Sequence, residues 1–370
     1  MKNKIAHLTL VHPRFDTRIF FKECSSLAQA GFEVHLVVAD GNGDEIRAGV
    51  RISDVGKSAT RLQRIFSGTA KVLKKARKLD CDVYHLHDPE LIPIGLLLKK
   101  LGKKVIFDSH EDVATQIRGK TYLCRQVRLL LSFVYSRIEK FACKKIDAVV
   151  AATPFIAEKF EKFSNRVVDV NNFPVLSELE NDRIWSERKK QVCYIGGLCE
   201  VRGLREMIAA SSFFARGIIL KLAGRFFDMN LENETRELCV GKPVEMMGFL
   251  KRPEVKSLLA ESQVGLVALH PLENYLDSLP VKMFEYMAAG LPVIASDFPF
   301  WQKIIAENAC GISVDPLEPE KIARAVNWLL ENPQQAEEMG RNGKKAVSQK
   351  FNWQNEEKKL LGLYSDLFAS

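Results

Sequence analysis

Two stretches in the second half of this chain combine residue types and spacings that suit a nucleotide-linked substrate. Gly196-Gly197-Leu198 follows a short apolar run, and Arg202-Gly203-Leu204 opens a helical pattern. A loop that lets a ligand approach the backbone, a guanidinium and a helix N-terminus together suit a phosphate group. Further on, Asp277-Ser278-Leu279-Pro280 precedes a helix that starts near Val281 and Lys282, runs through Glu285 and stops at Gly290. Uncapped amides around Leu279 to Val281 would bind an anion, with the carboxylates of Asp277 and Glu285 on either side accepting from sugar hydroxyls. Apolar neighbours Phe284, Tyr286 and Met287 set Glu285 apart from an ordinary charge on a solvated helix face.

The first half offers a different chemistry. His85-Leu86-His87-Asp88 and Asp108-Ser109-His110-Glu111-Asp112 each follow a strand pattern and gather metal-capable side chains towards one sheet edge, so a hydrolytic metal site competes with a metal-free reading. Period-two alternation puts His85 and His87 on the same side, but Asp88 has a helix to cap, and no third histidine-rich segment completes a cage. In the metal-free reading His110 donates a hydrogen bond inside a cleft, while His85 and His87 pack or orient their neighbours. Asp16 and Arg18, in the loop Pro13 to Arg18 after the first strand, either face a substrate or pair with each other.

These residues need a scaffold that presents strand ends. Ile5 to Val11, a helix near Phe20 to Gln29 and Glu33 to Val38 read as a βαβ start. Val83 to Leu86, Lys104 to Phe107, Ala148 to Ala151 and Val167 to Val170 continue it, with a basic helix near Leu123 to Lys145 between. The charged segment Ser177 to Lys190 marks a boundary or linker, after which Gln191 to Ile195, Gly217 to Leu222, Val244 to Met247, Val264 to Leu269, Pro292 to Ala295 and Ile312 to Val314 begin a second count. Strands alternating with helices predict two doubly wound α/β domains, at 1–176 and 177–350, with 351–370 a helix that docks back.

Composition narrows the function classes. The chain has 370 residues, 46% hydrophobic and 27% charged, which is globular rather than disordered, and its apolar runs fall far short of a membrane span. The N-terminus reads as a strand and not as a signal peptide, so the expected location is the cytoplasm. Eight cysteines without a C-x-x-C pair argue against a zinc ribbon or a disulfide framework and predict reduced thiols. The net charge of +8 is uneven: residues 1–175 hold 30 Lys and Arg against 19 Asp and Glu, and the remainder 24 against 27. Nucleic acid is the least attractive partner because no binding motif accompanies the charge; solvated helix faces, an anionic lipid surface or phosphorylated substrates would account for it.

The segment PVKMFEYMAAGLPVIASDFP (Pro280 to Pro299), with Gly311 to Pro316, Arg324-Ala325-Val326 and Phe351-Asn352-Trp353, resembles the nucleotide-sugar half of the retaining GT-B glycosyltransferases of family 4 (group 1). FDTRIF, GFEVHLVV, HLHDPELIPIGLLLKK and KVIFDSHED extend the resemblance to the acceptor half. It implies two Rossmann-like domains facing a central cleft, and sugar transfer from a nucleoside diphosphate sugar, uridine being the family-level base, with retention and without a metal or other cofactor. The family's acidic pair falls on Asp277, at the donor sugar, and Glu285, at the ribose. Its two diphosphate cations fall on Gly197 and Arg202, so one is missing here, and Arg18 or Lys282 is expected to compensate. His110 matches the histidine lining the donor sugar, Phe249-Leu250 would read the base through the backbone, Gly196 and Gly224 would lie close to the nucleotide, and Asp16, Arg18 and His87 would face the acceptor.

The resemblance implies a lipid-linked or oligosaccharide acceptor in lipopolysaccharide, capsule or exopolysaccharide assembly, with peripheral attachment of the basic half to the inner face of the cytoplasmic membrane. Three alternatives stand beside it. A nucleotide-sugar epimerase would bind similar ligands but has no use for a basic acceptor half. A metal-dependent hydrolase would use His85, His87 and His110. A degenerate partner, lacking the cation at Gly197, would bind a nucleotide sugar weakly and transfer nothing.

Overall fold

The computed structural model describes residues 3–120, 123–181 and 183–369; Met1 and Lys2, where the reading of the N-terminus begins, lie outside them. The chain divides into two units, one of Met1–Asn172 with Gln354–Ser370, the other of Phe173–Trp353.

The first unit is built on eight strands: β1 (Lys4–Leu8), β2 (Glu33–Val38), β3 (Glu45–Arg47), β4 (Val50–Asp54), β5 (Val83–Leu86), β6 (Lys104–Ser109), β7 (Ala148–Ala151) and β8 (Val167–Asp169). Their order is β3-β4-β2-β1-β5-β6-β7-β8, parallel except for β3. Helices cover both faces, so the central strands are apolar on both sides and read as continuous Val, Ile and Leu runs. The order reverses between β1 and β5, and open α/β sheets bind ligands at such a point, beyond the strand C-termini. β3 and β4 carry no signal in the sequence reading because β3 is short and mostly exposed and β4 buries only Val50, Ile52 and Ser53 around an exposed Arg51. Ala48 and Gly49 turn it with φ of 50° and 77°, the left-handed pair a tight hairpin needs.

After β1 the chain enters a wide-turned helix, Thr17–Cys24, where the expected start near Phe20 comes three residues early. Its Asp16 cap accepts from the amides of Arg18 and Ile19, and the wide turn directs both Arg18 and Glu23 inward. The last helix, Trp353–Ala369, belongs to this unit from Gln354 on. Its Tyr364 is fully buried, with Oη 2.8 Å from His85 Nδ1, and Phe368 stacks on Phe32.

The second unit has six parallel strands: β9 (Gln191–Ile195), β10 (Ile219–Ala223), β11 (Val244–Gly248), β12 (Val264–Val267), β13 (Val293–Ser296) and β14 (Gly311–Val314). Their order is β11-β10-β9-β12-β13-β14, reversing between β9 and β12. The segment Ser177 to Lys190 is not a loose linker. Leu179 is buried in the core of this unit, and Arg188 donates to the carbonyls of Ser262 and Ala289. The helix Val281–Ala288 packs flat on the sheet: Met283, Phe284, Tyr286 and Met287 are fully buried. A Cβ at Gly265 on β12 would stand 2.3 Å from the Tyr286 ring, so glycine is what lets the helix settle so close.

Candidate active site

In the second unit the switch point is occupied by the glycine loop. Gly196 follows β9 with φ of 141°, and Gly203 closes the turn into the helix Leu204–Ser211 with φ of 72°. Gly224, after β10, faces Gly196 so closely that a Cβ would lie 1.7 Å from the Gly196 carbonyl oxygen. Two tyrosines fix the loop from below. Tyr194 Oη donates to the Gly197 carbonyl at 2.9 Å, and Tyr286 Oη accepts from the Ile195 amide at 2.9 Å.

Two cations converge on this loop. A Cβ at Gly196 would stand 2.8 Å from Lys282 Nζ, and one at Gly197 would stand 2.9 Å from Arg202 Nη1. Lys282 Nζ lies 3.8 Å from the Tyr194 ring centroid and is buried without a hydrogen-bond partner. Burial, and after it the Arg202 charge, hold the Lys282 ammonium well below the usual lysine range. Among the described residues no carboxylate pairs with either cation. Two unpaired cations at a strand-end glycine loop make a site for a multiply charged anion. The sequence reading left Arg18 and Lys282 as alternatives for the missing charge; Lys282 is the one that reaches the loop. A Cβ at Gly197 would also stand 2.9 Å from the exposed Phe227 ring, so a larger residue there would require the Arg202 and Phe227 side chains to move.

Beside the loop lies a cavity of about 200 Å3, lined by Gly196, Gly197, Gly224, Arg225, Phe249 and Leu250 among others. Phe249 is largely exposed, with the Arg225 guanidinium 3.8 Å from its ring centroid, which leaves an aromatic and cationic surface for a planar ligand. A wider depression of about 500 Å3 near Asp297, Asp315, Lys321 and Arg324 has balanced charges and no such convergence.

The helix Val281–Ala288 positions the acidic pair. Glu285 is 8% exposed, and its Oε1 accepts from Arg252 Nη1 at 2.7 Å, while Arg252 also holds Glu178 at 2.7 Å. Asp277 caps the short helix Glu273–Leu276, half-buried, and its carboxylate has no hydrogen-bond or ion-pair partner among the described residues. Its loop is pinned by Trp301 Nε1, which donates to the Ser278 carbonyl at 2.7 Å, and Leu279 packs against the core ahead of Pro280 and Val281.

In the first unit the histidines come together, with a correction to each neighbour expected for them. Asp88 makes no helix-capping bond; its carboxylate reaches back to Thr9 Oγ1 at 3.0 Å and the Leu10 amide. The missing third segment is β1 itself, whose His7 pairs in register with His85 and puts Nδ1 2.8 Å from His87 Nε2. Asp16 does not pair with the Arg18 guanidinium, because its carboxylate is spent on backbone amides and lies 3.6 Å from His12. Arg18, expected to face the acceptor or replace the lost cation, is 3% exposed and clamps both Asp108 oxygens at 2.9 and 3.1 Å, with Glu23 at 3.0 Å and the Val170 carbonyl. It is not available to a ligand. His87, likewise expected on the acceptor side, is 2% exposed and locked between His7 and Asp108.

The electrostatics of this cluster follow from burial. Burial, then the His87 charge, lowers His7 well below the ordinary range; burial and both neighbouring histidines do the same to His85; and burial brings His87 down to about 4. Burial works to raise Asp108, but Arg18, His110 and His87 outweigh it and hold that carboxyl low. Glu23 goes up, through burial and the Asp108 charge. Ligand atoms of His7, Glu23, His85 and His87 lie within 4.8 Å of one another, as do those of His87, Asp108 and His110, close enough to hold an ion. His7, Glu23, His85 and His87 are sealed from solvent, however, so the first group offers no face to a substrate. His110 alone reaches the edge, its side chain 20% exposed and its Nε2 3.2 Å from Asp108 and 3.3 Å from His87.

Two family models match the chain, glycosyltransferase family 4 over residues 18–172 and glycosyl transferases group 1 over 177–346, together spanning most of it. The chain is a family 4 glycosyltransferase. It is 24% identical to the D-rhamnosyltransferase WbpZ of Pseudomonas aeruginosa over 356 residues, covering 90% of this chain and 87% of the relative. Its fold matches sucrose-phosphate synthase of Thermosynechococcus elongatus with a TM-score of 0.79 at 19% identity, covering all of both chains. It matches Anabaena HepE in complex with UDP and glucose with a TM-score of 0.76 at 14% identity, covering 98% of this chain and all of the other. The architecture is that of GT-B glycosyltransferases.

Several residues of this glycosyltransferase escaped the sequence reading. Arg252 and Tyr194 sit in unremarkable helix and strand patterns, and only their distances to Glu285 and to the Lys282 amine mark them. His7 and Glu23 could have been noticed as polar residues inside apolar runs, which is the one local sign of a buried network.

Proposed function

We propose that this glycosyltransferase moves a sugar from a UDP-linked donor to a lipid-linked or oligosaccharide acceptor of a surface polysaccharide, with the anomeric configuration retained and no metal required. The observation that carries the donor half of this reading is the pair of cations, Lys282 and Arg202, that converge on the Gly196-Gly197 loop with no carboxylate partner among the described residues. They take the two phosphates, with the amides at the start of the helix Val281–Ala288 adding to them. The cavity lined by Gly224, Phe249 and Leu250 takes the base, Glu285 the ribose hydroxyls and Asp277 the donor sugar. A UDP complex of the structurally similar HepE supports uridine as the base.

In the reaction the bond between the anomeric carbon and the β-phosphate oxygen breaks, and the acceptor oxygen bonds to that carbon on the same face. The acceptor proton leaves with the departing diphosphate. The negative charge that grows on the diphosphate is met by Lys282 and Arg202, fixed before the reaction begins; one such donor is worth about 2.7–4 kcal/mol in the transition state. His110 donates a hydrogen bond to the donor sugar, oriented by Asp108, and is a proposed catalytic residue. The acceptor remains at the membrane through its lipid, and the basic character of the first half serves that encounter.

Thermal unfolding with UDP, GDP and ADP in excess chelator tests the reading. Ligand at 100 times its Kd stabilises by about 2.7 kcal/mol. Stabilisation by UDP that survives chelator and disappears in Glu285→Ala is the expected result. A response to none of the three, or one abolished by chelator, overturns it.

A further inference from the structure

The helix Arg125–Cys143 is built inside out. Its inward stripe, at spacings of four and three, is Arg128, Ser132, Tyr135, Glu139 and Ala142, in which Ser132 Oγ donates to the Ala114 carbonyl and Glu139 pairs with Lys159 at 2.5 Å. The stripe turned to solvent has the same rhythm and is apolar: Val127, Leu130, Leu131, Val134, Ile138 and Phe141, each between 40% and 62% exposed. At 100° per residue these six lie within about 100° of the helix circumference. A contiguous apolar stripe of this kind on a protein surface marks an interaction site.

Charge identifies the occupant. Leu129 and Phe133, both at least half exposed, flank the stripe together with Arg137 and Lys140, and Lys144 and Lys145 follow the helix. The Arg137 guanidinium lies 5.1 Å from the Phe133 ring centroid and the Lys145 ammonium 3.9 Å from that of Phe141. The helix's one carboxylate, Glu139, is turned inward, so every charge it shows to solvent is positive. A second copy of the chain would bring this positive rim against itself, whereas an anionic bilayer complements the rim and receives the apolar stripe. No described helix is long and apolar enough to cross a membrane, which leaves binding in the plane of the interface.

We infer that the helix Arg125–Cys143 is the element by which this enzyme lies on an anionic lipid surface, its apolar stripe among the acyl chains and its cations at the headgroups. The inference draws only its purpose from the proposed lipid-linked acceptor. Because binding is read without donor or acceptor, its failure leaves sugar transfer standing, and failure of sugar transfer leaves it standing.

The test is flotation of the full chain with phosphatidylcholine vesicles, with and without phosphatidylglycerol, and light scattering to measure oligomeric state. The wild type is expected to float only with the anionic vesicles and to dissociate as salt rises. Leu130→Ser with Leu131→Ser and Ile138→Ser is expected to need at least tenfold more lipid, as is Arg137→Glu with Lys140→Glu, while both variants melt at the wild-type temperature. A Phe133→Trp variant, which keeps the stripe, is expected to shift its emission to the blue on anionic vesicles. Flotation unaffected by the apolar substitutions overturns the inference. So does a dimer that those substitutions dissociate when no lipid binding is detected.

Discussion

Replacing Lys282 with methionine should make the enzyme more stable and its nucleotide binding weaker. Methionine keeps the unbranched stem and deletes only the charge. In the free protein the Lys282 amine is buried without a hydrogen bond and next to Arg202, and its pKa is held well below the lysine value of 10.5, first by burial and then by that guanidinium. An unsatisfied buried polar group costs about 1–3 kcal/mol. At roughly 2–4 °C per kcal/mol for a domain of this size, Lys282→Met should raise the melting temperature of the free protein by about 2–12 °C. The pH dependence has a definite sign. Between its lowered folded pKa and 10.5 the unfolded chain holds more protons at this residue, so this group makes stability rise with pH, and the variant loses that rise. A diphosphate reverses the situation by giving the ammonium a partner. A charge-assisted hydrogen bond is worth about 1.5–3 kcal/mol, so UDP should bind roughly 10- to 150-fold more weakly to the variant. Between the lowered Lys282 pKa and 10.5, calorimetry in two buffers of different ionisation heat should detect more proton uptake on UDP binding in the wild type than in the variant. A variant that melts below the wild type, or binds UDP equally well, refutes the reasoning.

Two further outcomes follow from the same geometry. Gly224→Ala puts a methyl 1.7 Å from the Gly196 carbonyl oxygen, a backbone atom, so the loop must shift; we expect a loss of about 1–3 kcal/mol in stability and no thermal response to UDP, and a wild-type response would show that the loop does not bind it. Acidification should destabilise the first unit between pH 6.5 and 4. His7, His85 and His87 stay neutral when folded while their unfolded counterparts take up protons; His87 alone, at about 4 against 6.5, accounts for about 3 kcal/mol. Glu23 and Glu139, raised by burial, and His12, whose burial is outweighed by Asp16 and Asp88 so that it too is raised, act in the opposite direction, while His35, lowered by burial, adds to the three imidazoles. A melting temperature that holds or rises over this interval would refute the assignment of neutral imidazoles.

Much of the architecture was legible in local pattern. The runs at β1, β2, β5, β6, β7, β9, β12 and β13 are buried nearly throughout because their strands are covered on both faces, and this leaves a continuous signal in the sequence, whereas β10 alternates and the edge strands β11 and β14 are only partly buried. The hairpin of β3 and β4 left none, since β3 is short and largely exposed and β4 buries only Val50, Ile52 and Ser53 around an exposed Arg51. The glycine loop and Asp277 could be read for the same local reason, each being a polar break directly after a strand or before a helix, whereas Glu285 shows as a carboxylate among the apolar residues of a helix.

What the sequence by itself determined, then, was which elements form and which residues stand at their ends, because periodicity, caps and glycines act over a few residues. Which of those residues share a site was decided only by tertiary packing. Lys282 reaches Gly196 because Tyr286, on the same helix, seats against Gly265 in a neighbouring strand. Arg18 and His87, equally polar and equally placed after strands, are drawn instead into a sealed network with Asp108, Glu23 and His7. No local pattern distinguishes a cation that folding leaves without a carboxylate from one that already has its partner, since that difference depends on groups brought from distant parts of the chain.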